Sequence, residues 1–194
     1  MTADEREILA GLDEILRSEK ARASIQPIAE RVRAKICRET GALMAWEPIP
    51  LTIYGGTLPD TIKSSWVFVL RAGANTGAER HPNSQQRMMS FQGSGDMQIW
   101  SMGQAAGSEE RKDSRHAERC KPEVTGQWKS NMLISDPDAP LEKRWISIPQ
   151  NVWHQPVISK EEDWIVVSFH TVPAEELMEE RAERERTKQM RYLG

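Results

Sequence analysis

The sequence predicts a mainly β protein, an antiparallel barrel or sandwich, with a helical hairpin before it and a charged helix after it. Three observations carry this. Short runs of β-branched and aromatic residues recur between residues 65 and 170, separated by glycine and proline turns. Helical periodicity is confined to the first forty residues. After Pro173 the chain turns strongly charged, with acids first and bases later. The expected organisation is a helical extension over 1–45, a β-barrel over 46–173 and a charged C-terminal helix over 174–194.

Residues 4–19 read as a helix, because Ile8, Leu9, Leu12, Ile15 and Leu16 form one apolar stripe. Thr2 suits its N-cap. A second helix is expected from Pro27 to Thr40, with Pro27 in its first turn, a stripe of Ile28, Val32 and Ile36, and Gly41 at its end. Such a hairpin has to bury its stripes against the following domain or a second subunit.

From residue 42 on, prolines at 48, 50 and 59 and the pair Gly55–Gly56 break any helix, and 51–54 reads as a short strand. Residues 65–71, SWVFVLR, form a strand that is apolar on both faces. Strands are expected at 86–92 and 96–101, around a turn at Gly93-Ser94-Gly95. Further strands are expected at 131–135 and 144–148, and another headed by His154 after a turn at Pro149-Gln150-Asn151. In the last, 164–170, Ile165, Val167 and Phe169 form the better core face, so His170 is expected to point outward. Residues 102–129 are polar, carry both charge signs and read as a long insertion. His116 within it reads as a solvated loop histidine.

Composition excludes several functions. The 194 residues suit one domain, and the net charge of −3 provides no basic field for nucleic acid or an anionic membrane. No stretch reaches the ~20 apolar residues that span a bilayer. Cys37 and Cys120 are far apart and make neither a disulfide framework nor a zinc motif. A cytoplasmic setting is therefore expected.

The chemistry-bearing stretch is 73–93, GANTGAERHPNSQQRMMSFQG. Glu79 and His81 are two apart, so an extended backbone points both to one face. A short turn can return Gln86 to that face on the next strand. His154 can join only through tertiary folding. Two imidazoles and a carboxylate suit a borderline divalent metal and leave coordination positions open for catalysis. Arg80 and Arg87 lie on the alternate parity and read as rim or surface residues.

The spacing resembles the cupins. Their first motif is G-x5-H-x-H-x(3,4)-E-x6-G, and here Gly73, Glu79, His81, Gln86 and Gly93 fall at every interval. In their second motif, G-x5-P-x-G-x2-H-x3-N, Pro149, Asn151 and His154 take the proline, glycine and histidine places. Glu79 replaces the first histidine and Gln86 the glutamate, while Lys143 and Ile158 replace the second motif's first glycine and its asparagine. The resemblance covers about residues 60–172. It implies a small jelly-roll barrel (a double-stranded β-helix), often a homodimer, with a metal held by Glu79, His81, Gln86 and His154. As a weak ligand, Gln86 could equally orient a substrate by hydrogen bonds.

Two functions follow as expectations. One is a metal-dependent enzyme acting on a small organic molecule. A dioxygenase is favoured over an isomerase or lyase, iron is the first choice of metal, and zinc, nickel and manganese are compatible. Glu79, where it is not a ligand, would move a proton. The other is a non-catalytic module that binds or senses a small ligand, with the terminal helices contacting a partner.

Overall fold

The computed structural model describes residues 2–56, 58–102, 126–183 and 186–191. His116, Cys120 and most of the expected insertion lie outside the described residues. Helices α1 (Ala3–Arg17) and α2 (Glu19–Arg38) form the hairpin. The strands are β1 (Met44–Pro48), β2 (Ser64–Leu70), β3 (Glu79–Arg80), β4 (Gln86–Gln92), β5 (Ser94–Met102) and β6 (Gly126–Lys129). Then come β7 (Met132–Ile134), a single turn α3 (Leu141–Arg144), β8 (Trp145–Ile148), β9 (His154–Ile158), β10 (Trp164–His170), β11 (Met178–Glu183) and β12 (Arg186–Arg191). One sheet runs β1-β2-β10-β4-β8 and the other β12-β11-β3-β9-β5-β6, with β7 on β5, and every pairing is antiparallel. The two sheets face each other as a jelly roll, the cupin architecture that the motif spacing implies.

The first sheet is covered on both faces. Trp66, Phe68, Leu70, Met88, Trp164 and Val166 point between the sheets into the inner core. Val67, Val69, Met89, Phe91, Ile165, Val167 and Phe169 point the other way, into an outer core shared with the hairpin. Leu9, Leu12 and Leu16 of α1 and Ile25, Ala29, Val32 and Ile36 of α2 complete that outer core. This double burial explains why the strand at 65–71 is apolar on both faces. It also reverses the expected parity of β10, because the face of Ile165, Val167 and Phe169 is the outer one. His170 therefore points into the barrel and is fully buried.

Helix α2 begins earlier than its proline suggests. Ser18 caps it, accepting from Ala21 N–H at 3.2 Å, and Pro27 lies inside it. An interior proline costs about 3 kcal/mol. Burying each of Ile25, Val32 and Ile36 is worth about 1.5–3 kcal/mol, so the stripe outweighs the missing hydrogen bond. Two buried ion pairs pin the hairpin to the barrel. Asp13 accepts from Arg144 and, at 2.8 Å, from Trp145 Nε1. Arg87 reaches Glu5 at 2.7 and 2.8 Å.

Two local expectations change. Residues Leu51–Tyr54 form a 3-10 turn rather than a strand. The expected C-terminal helix is instead the strand pair β11–β12. Two of the charges that suggested a helix find cross-strand partners: Glu180 lies opposite Arg80, and Arg181 lies opposite Glu79. Apolar residues too sparse for a helical stripe still suffice for a strand whose polar groups find cross-strand partners.

Candidate metal centre

Two rows of side chains build the centre, one from each sheet. In the second sheet Arg181, Glu79, His154 and Ile99 are successive cross-strand partners on β11, β3, β9 and β5. Directly opposed residues share a face, so this row looks into the barrel. In the first sheet Ile148, Gln86, His170 and Ser64 form the corresponding row on β8, β4, β10 and β2. His81 follows β3 and stands between the rows, its ring centroid 5.4 Å from that of His154 and 4.9 Å from that of His170.

Turn chemistry sets these positions. Gly93 closes the β4–β5 hairpin at φ +77°, where a Cβ would also lie 2.8 Å from the Asp163 carbonyl. Asn151, at the motif's glycine place, adopts φ +65° and so performs the glycine's part before His154. Its N–H donates to the His81 carbonyl at 2.9 Å, tying the two histidine segments together.

Glu79, His81 and His154 are all buried, and one donor atom of each lies within 4.8 Å of the others. His81 Nδ1 donates to the Met178 carbonyl at 3.1 Å, and His154 Nδ1 donates to the Val152 carbonyl at 3.0 Å. Each bond assigns the proton to Nδ1 and the lone pair to Nε2, the tautomer a metal ligand needs. His154 Nε2 stands 3.6 Å from Glu79 Oε1 and makes no hydrogen bond. Arg181 donates to Glu79 Oε2 at 3.0 Å, to Thr76 O at 3.2 Å and to the buried Glu179.

Burial pushes the Glu79 carboxyl up. His154, His81 and Arg181 more than offset this, so its pKa lies below the ordinary value. Burial, helped by neighbouring His154, drives His81 down to about 4. Burial likewise takes His170 well below its ordinary value. At neutral pH the centre therefore offers a carboxylate and a neutral His81 imidazole.

Gln86 sits on the facing wall. It shares with Glu79 a cavity of about 20 Å³ whose other walls include Phe68, Leu70, Met88 and Val166. Gln86 Nε2 donates to Ser168 Oγ at 3.0 Å, and its buried Oε1 makes no hydrogen bond. Ser168 Oγ lies 3.1 Å from His170 Nε2, and Ser84 Oγ lies 3.3 Å from His170 Nδ1. Sequence reasoning missed His170, Ser168, Glu179 and Arg181. The alternation of Ser168 with His170, and of Glu179 with Arg181, was the signal available. Arg80 is a rim residue as expected, paired with Glu180 and lying 4.6 Å from the Trp153 ring centroid, whereas Arg87 is buried under the hairpin against Glu5 instead of at the rim or surface.

The residues present fit a divalent cation. Two carboxylates, Glu79 and Glu179, both contact the Arg181 guanidinium, and Glu79 turns its other oxygen toward the two imidazoles. His154 Nε2 and Gln86 Oε1 are buried acceptors without donors, which a cation or its bound water would satisfy.

No protein-family model and no curated protein matches this chain. Solved structures do match. One is an oxalate oxidase in complex with the substrate analogue glycolate, at 17% identity over 66% of this chain and 51% of that one, with a TM-score of 0.41. Another is vicilin from Corylus avellana (hazelnut), at 11% identity over 67% and 29%, with a TM-score of 0.46. A third is the formate complex of Lactobacillus farciminis oxalate decarboxylase, at 11% identity over 68% and 29%, with a TM-score of 0.42. The chain thus spans about half or less of the length of these structures. Among the described residues, no helix is long and apolar enough to cross a membrane.

Proposed function

On this cupin-fold barrel, we propose that the chain binds one divalent metal ion through Glu79, His81 and His154 and acts on a small organic molecule. The observation that carries the reading is the convergence of three buried donor atoms within 4.8 Å, with both histidine Nδ1 atoms already committed to backbone carbonyls. Iron is the first choice for a two-histidine, one-carboxylate set, and zinc, nickel and manganese fit the same donors. When bound, such an ion would supply Lewis acidity or, as iron, a place to activate dioxygen.

The chain's own residues have distinct parts in this proposal. Glu79 offers Oε1 while Arg181 holds Oε2, which keeps the carboxylate ionised and oriented. If Glu79 stays with Arg181 rather than ligating, it is the group placed to move a proton. Gln86 presents Oε1 as an acceptor from the facing wall, either as a weak fourth ligand or to a bound water. A dioxygenase is the favoured reaction class within this reading. It includes a cytoplasmic homodimer and a small-molecule substrate, with no nucleic acid or membrane partner.

A non-catalytic ligand-binding module is the second reading. The cavity between Glu79 and Gln86, about 20 Å³, has room for about one water molecule and not for an organic substrate, which counts against catalysis inside it. The hairpin counts against a partner-contacting arm, because its stripes are spent on the outer core.

Elemental analysis after metal-supplemented expression tests the first reading, on wild type and on Glu79→Ala, His81→Ala and His154→Ala variants. Near-stoichiometric metal is expected in the wild type and its loss in each variant. Equally low metal in all four sinks the proposal. Oxygen uptake with phenolic substrates then separates the enzyme from the binding module.

A further inference from the structure

A second and larger cavity, about 720 Å³, lies beside the centre in the gap between the two sheets. That is the size range of small-molecule sites. Its apolar walls are Ile99 of β5, Leu133 of β7, Trp145 and Ile146 of β8, and Pro149. Ile99, Leu133 and Ile146 pack in the inner core and Trp145 in the outer one, so the cavity sits at the barrel's edge, where the two cores meet. Ile99 is the cross-strand partner of His154 and shares its inward face. His154 is completely buried whereas Ile99 is half-buried, so Ile99 stands as the wall between the cavity and the His154 side of the centre.

The rim decides what kind of molecule fits. Glu5 lines the cavity but is committed to Arg87 at 2.7 and 2.8 Å. Glu142 lines it too and is paired with Arg6. The remaining polar lining comes from neutral groups, including Gln85, Asn131 and Ser147. No basic side chain lines the cavity among the described residues. An anionic ligand would meet two carboxylates whose arginine partners are already committed, and a cationic one would have to break those pairs. An uncharged molecule with an apolar body and a hydroxyl or carbonyl edge meets neither cost.

We propose that this inter-sheet cavity, rimmed by the N-terminus of α1 and walled by Ile99, receives an uncharged, aromatic-sized organic molecule and delivers it to the His154 side of the centre. The inference rests on the proposed metal function for its second half only. It also gives the hairpin a role: α1 completes a binding cavity through Thr2 and Glu5.

The test uses 2-naphthol as an uncharged probe and 2-naphthoate as its anionic counterpart, titrated by fluorescence into metal-free and manganese-loaded full-length protein. Saturable 2-naphthol binding is expected in both forms, with 2-naphthoate at least tenfold weaker. Ile99→Trp fills the inner wall and should weaken 2-naphthol at least tenfold. If that variant unfolds early in a thermal scan, Ile146→Trp replaces it with the same expectation. Absent saturation, indifference to both tryptophan variants, or equal affinity for 2-naphthoate each overturn the proposal. In the manganese-loaded protein, enhanced proton relaxation of bound 2-naphthol is expected. Undiminished binding without that enhancement overturns the delivery to His154. If the protein takes up no manganese, the metal reading fails instead, and the metal-free titrations still decide the cavity.

Discussion

Arg181 of β11 lies directly opposite Glu79 of β3 and donates to its Oε2 at 3.0 Å, while a second face of the same guanidinium holds the buried Glu179. One cation thus separates two carboxylates in a buried cluster. Replacing it with Met removes the guanidinium that both anions contact. Breaking a buried pair in this way costs about 3–5 kcal/mol. The expected outcome for Arg181→Met is a large fall in thermal midpoint without metal, and a larger rise on adding manganese than wild type shows. Thermal scans with and without the ion check this. A variant with the wild-type midpoint would show that Arg181 carries no such charge balance.

Gln86 provides a sharper test of where the ion sits. Its Oε1 faces the cavity shared with Glu79 and makes no hydrogen bond. Gln86→Glu puts a charged oxygen there at nearly constant shape. Metal affinity should rise at least tenfold, whereas Gln86→Ala should lower it by less than the loss of any histidine. The metal-free Gln86→Glu protein should be less stable, since a second carboxylate then faces Glu79 across a small buried cavity. Competition against a chromophoric chelator measures the affinities. A Gln86→Glu affinity equal to wild type places Gln86 outside the coordination sphere.

The barrel and the hairpin were legible from strand and helix patterning, and the Glu79–His81–His154 convergence from the resemblance to the cupin motifs. Fixed intervals between Gly73, Glu79, His81 and Gly93 encode a strand-turn-strand, and Asn151 kept the positive-φ place of the second motif. What stayed illegible depends on layers that no single segment reveals. The direction of His170 depends on the hairpin covering the far side of β10, because only then does the Ile165, Val167 and Phe169 face become the outer one. The conformation of 178–183 depends on Arg80 and Glu79 waiting across the ladder. Taken alone, its charges fit the ends of a helix equally well.

Acid should destabilise the protein before most carboxylates titrate. In the fold His81 is held at about 4, against an ordinary value of 6.5. The unfolded chain therefore takes up the proton more readily than the folded one. Stability is full above pH 6.5 and is lost as pH falls toward 4. That shift corresponds to roughly 3 kcal/mol. His170 moves in the same direction, so its loss adds to that of His81. Glu79, whose pKa is also depressed, contributes stability above its ordinary value that is lost below it. The thermal midpoint of metal-free protein should fall steeply between pH 6.5 and 4, and His81→Asn should flatten the slope. Parallel pH profiles for the two proteins would contradict the assignment.

His170 should act on the centre through His81. Its ring meets His81 edge-to-face at 84°, with 4.9 Å between centroids, and serines at both nitrogens fix its own plane. Ser168 in turn receives Gln86 Nε2, so a hydrogen-bonded chain runs from Gln86 through Ser168 to His170, whose ring contacts His81. His170→Ala opens a cavity at a fully buried position, for which about 2–4 kcal/mol is expected. A filler role alone would stop there. A positioning role should also disturb the ligand geometry at His81. Cobalt-substituted His170→Ala is therefore expected to show a shifted visible absorption spectrum and several-fold weaker metal binding. His170→Gln, which can still bond both serines, should recover most of the affinity if the chain positions His81. His170→Phe should restore the packing but not the hydrogen bonds. If Phe rescues the spectrum as fully as Gln, the ring contact alone positions His81 and the serine chain is dispensable. If the spectrum never changes, His170 is a core residue with no bearing on the centre.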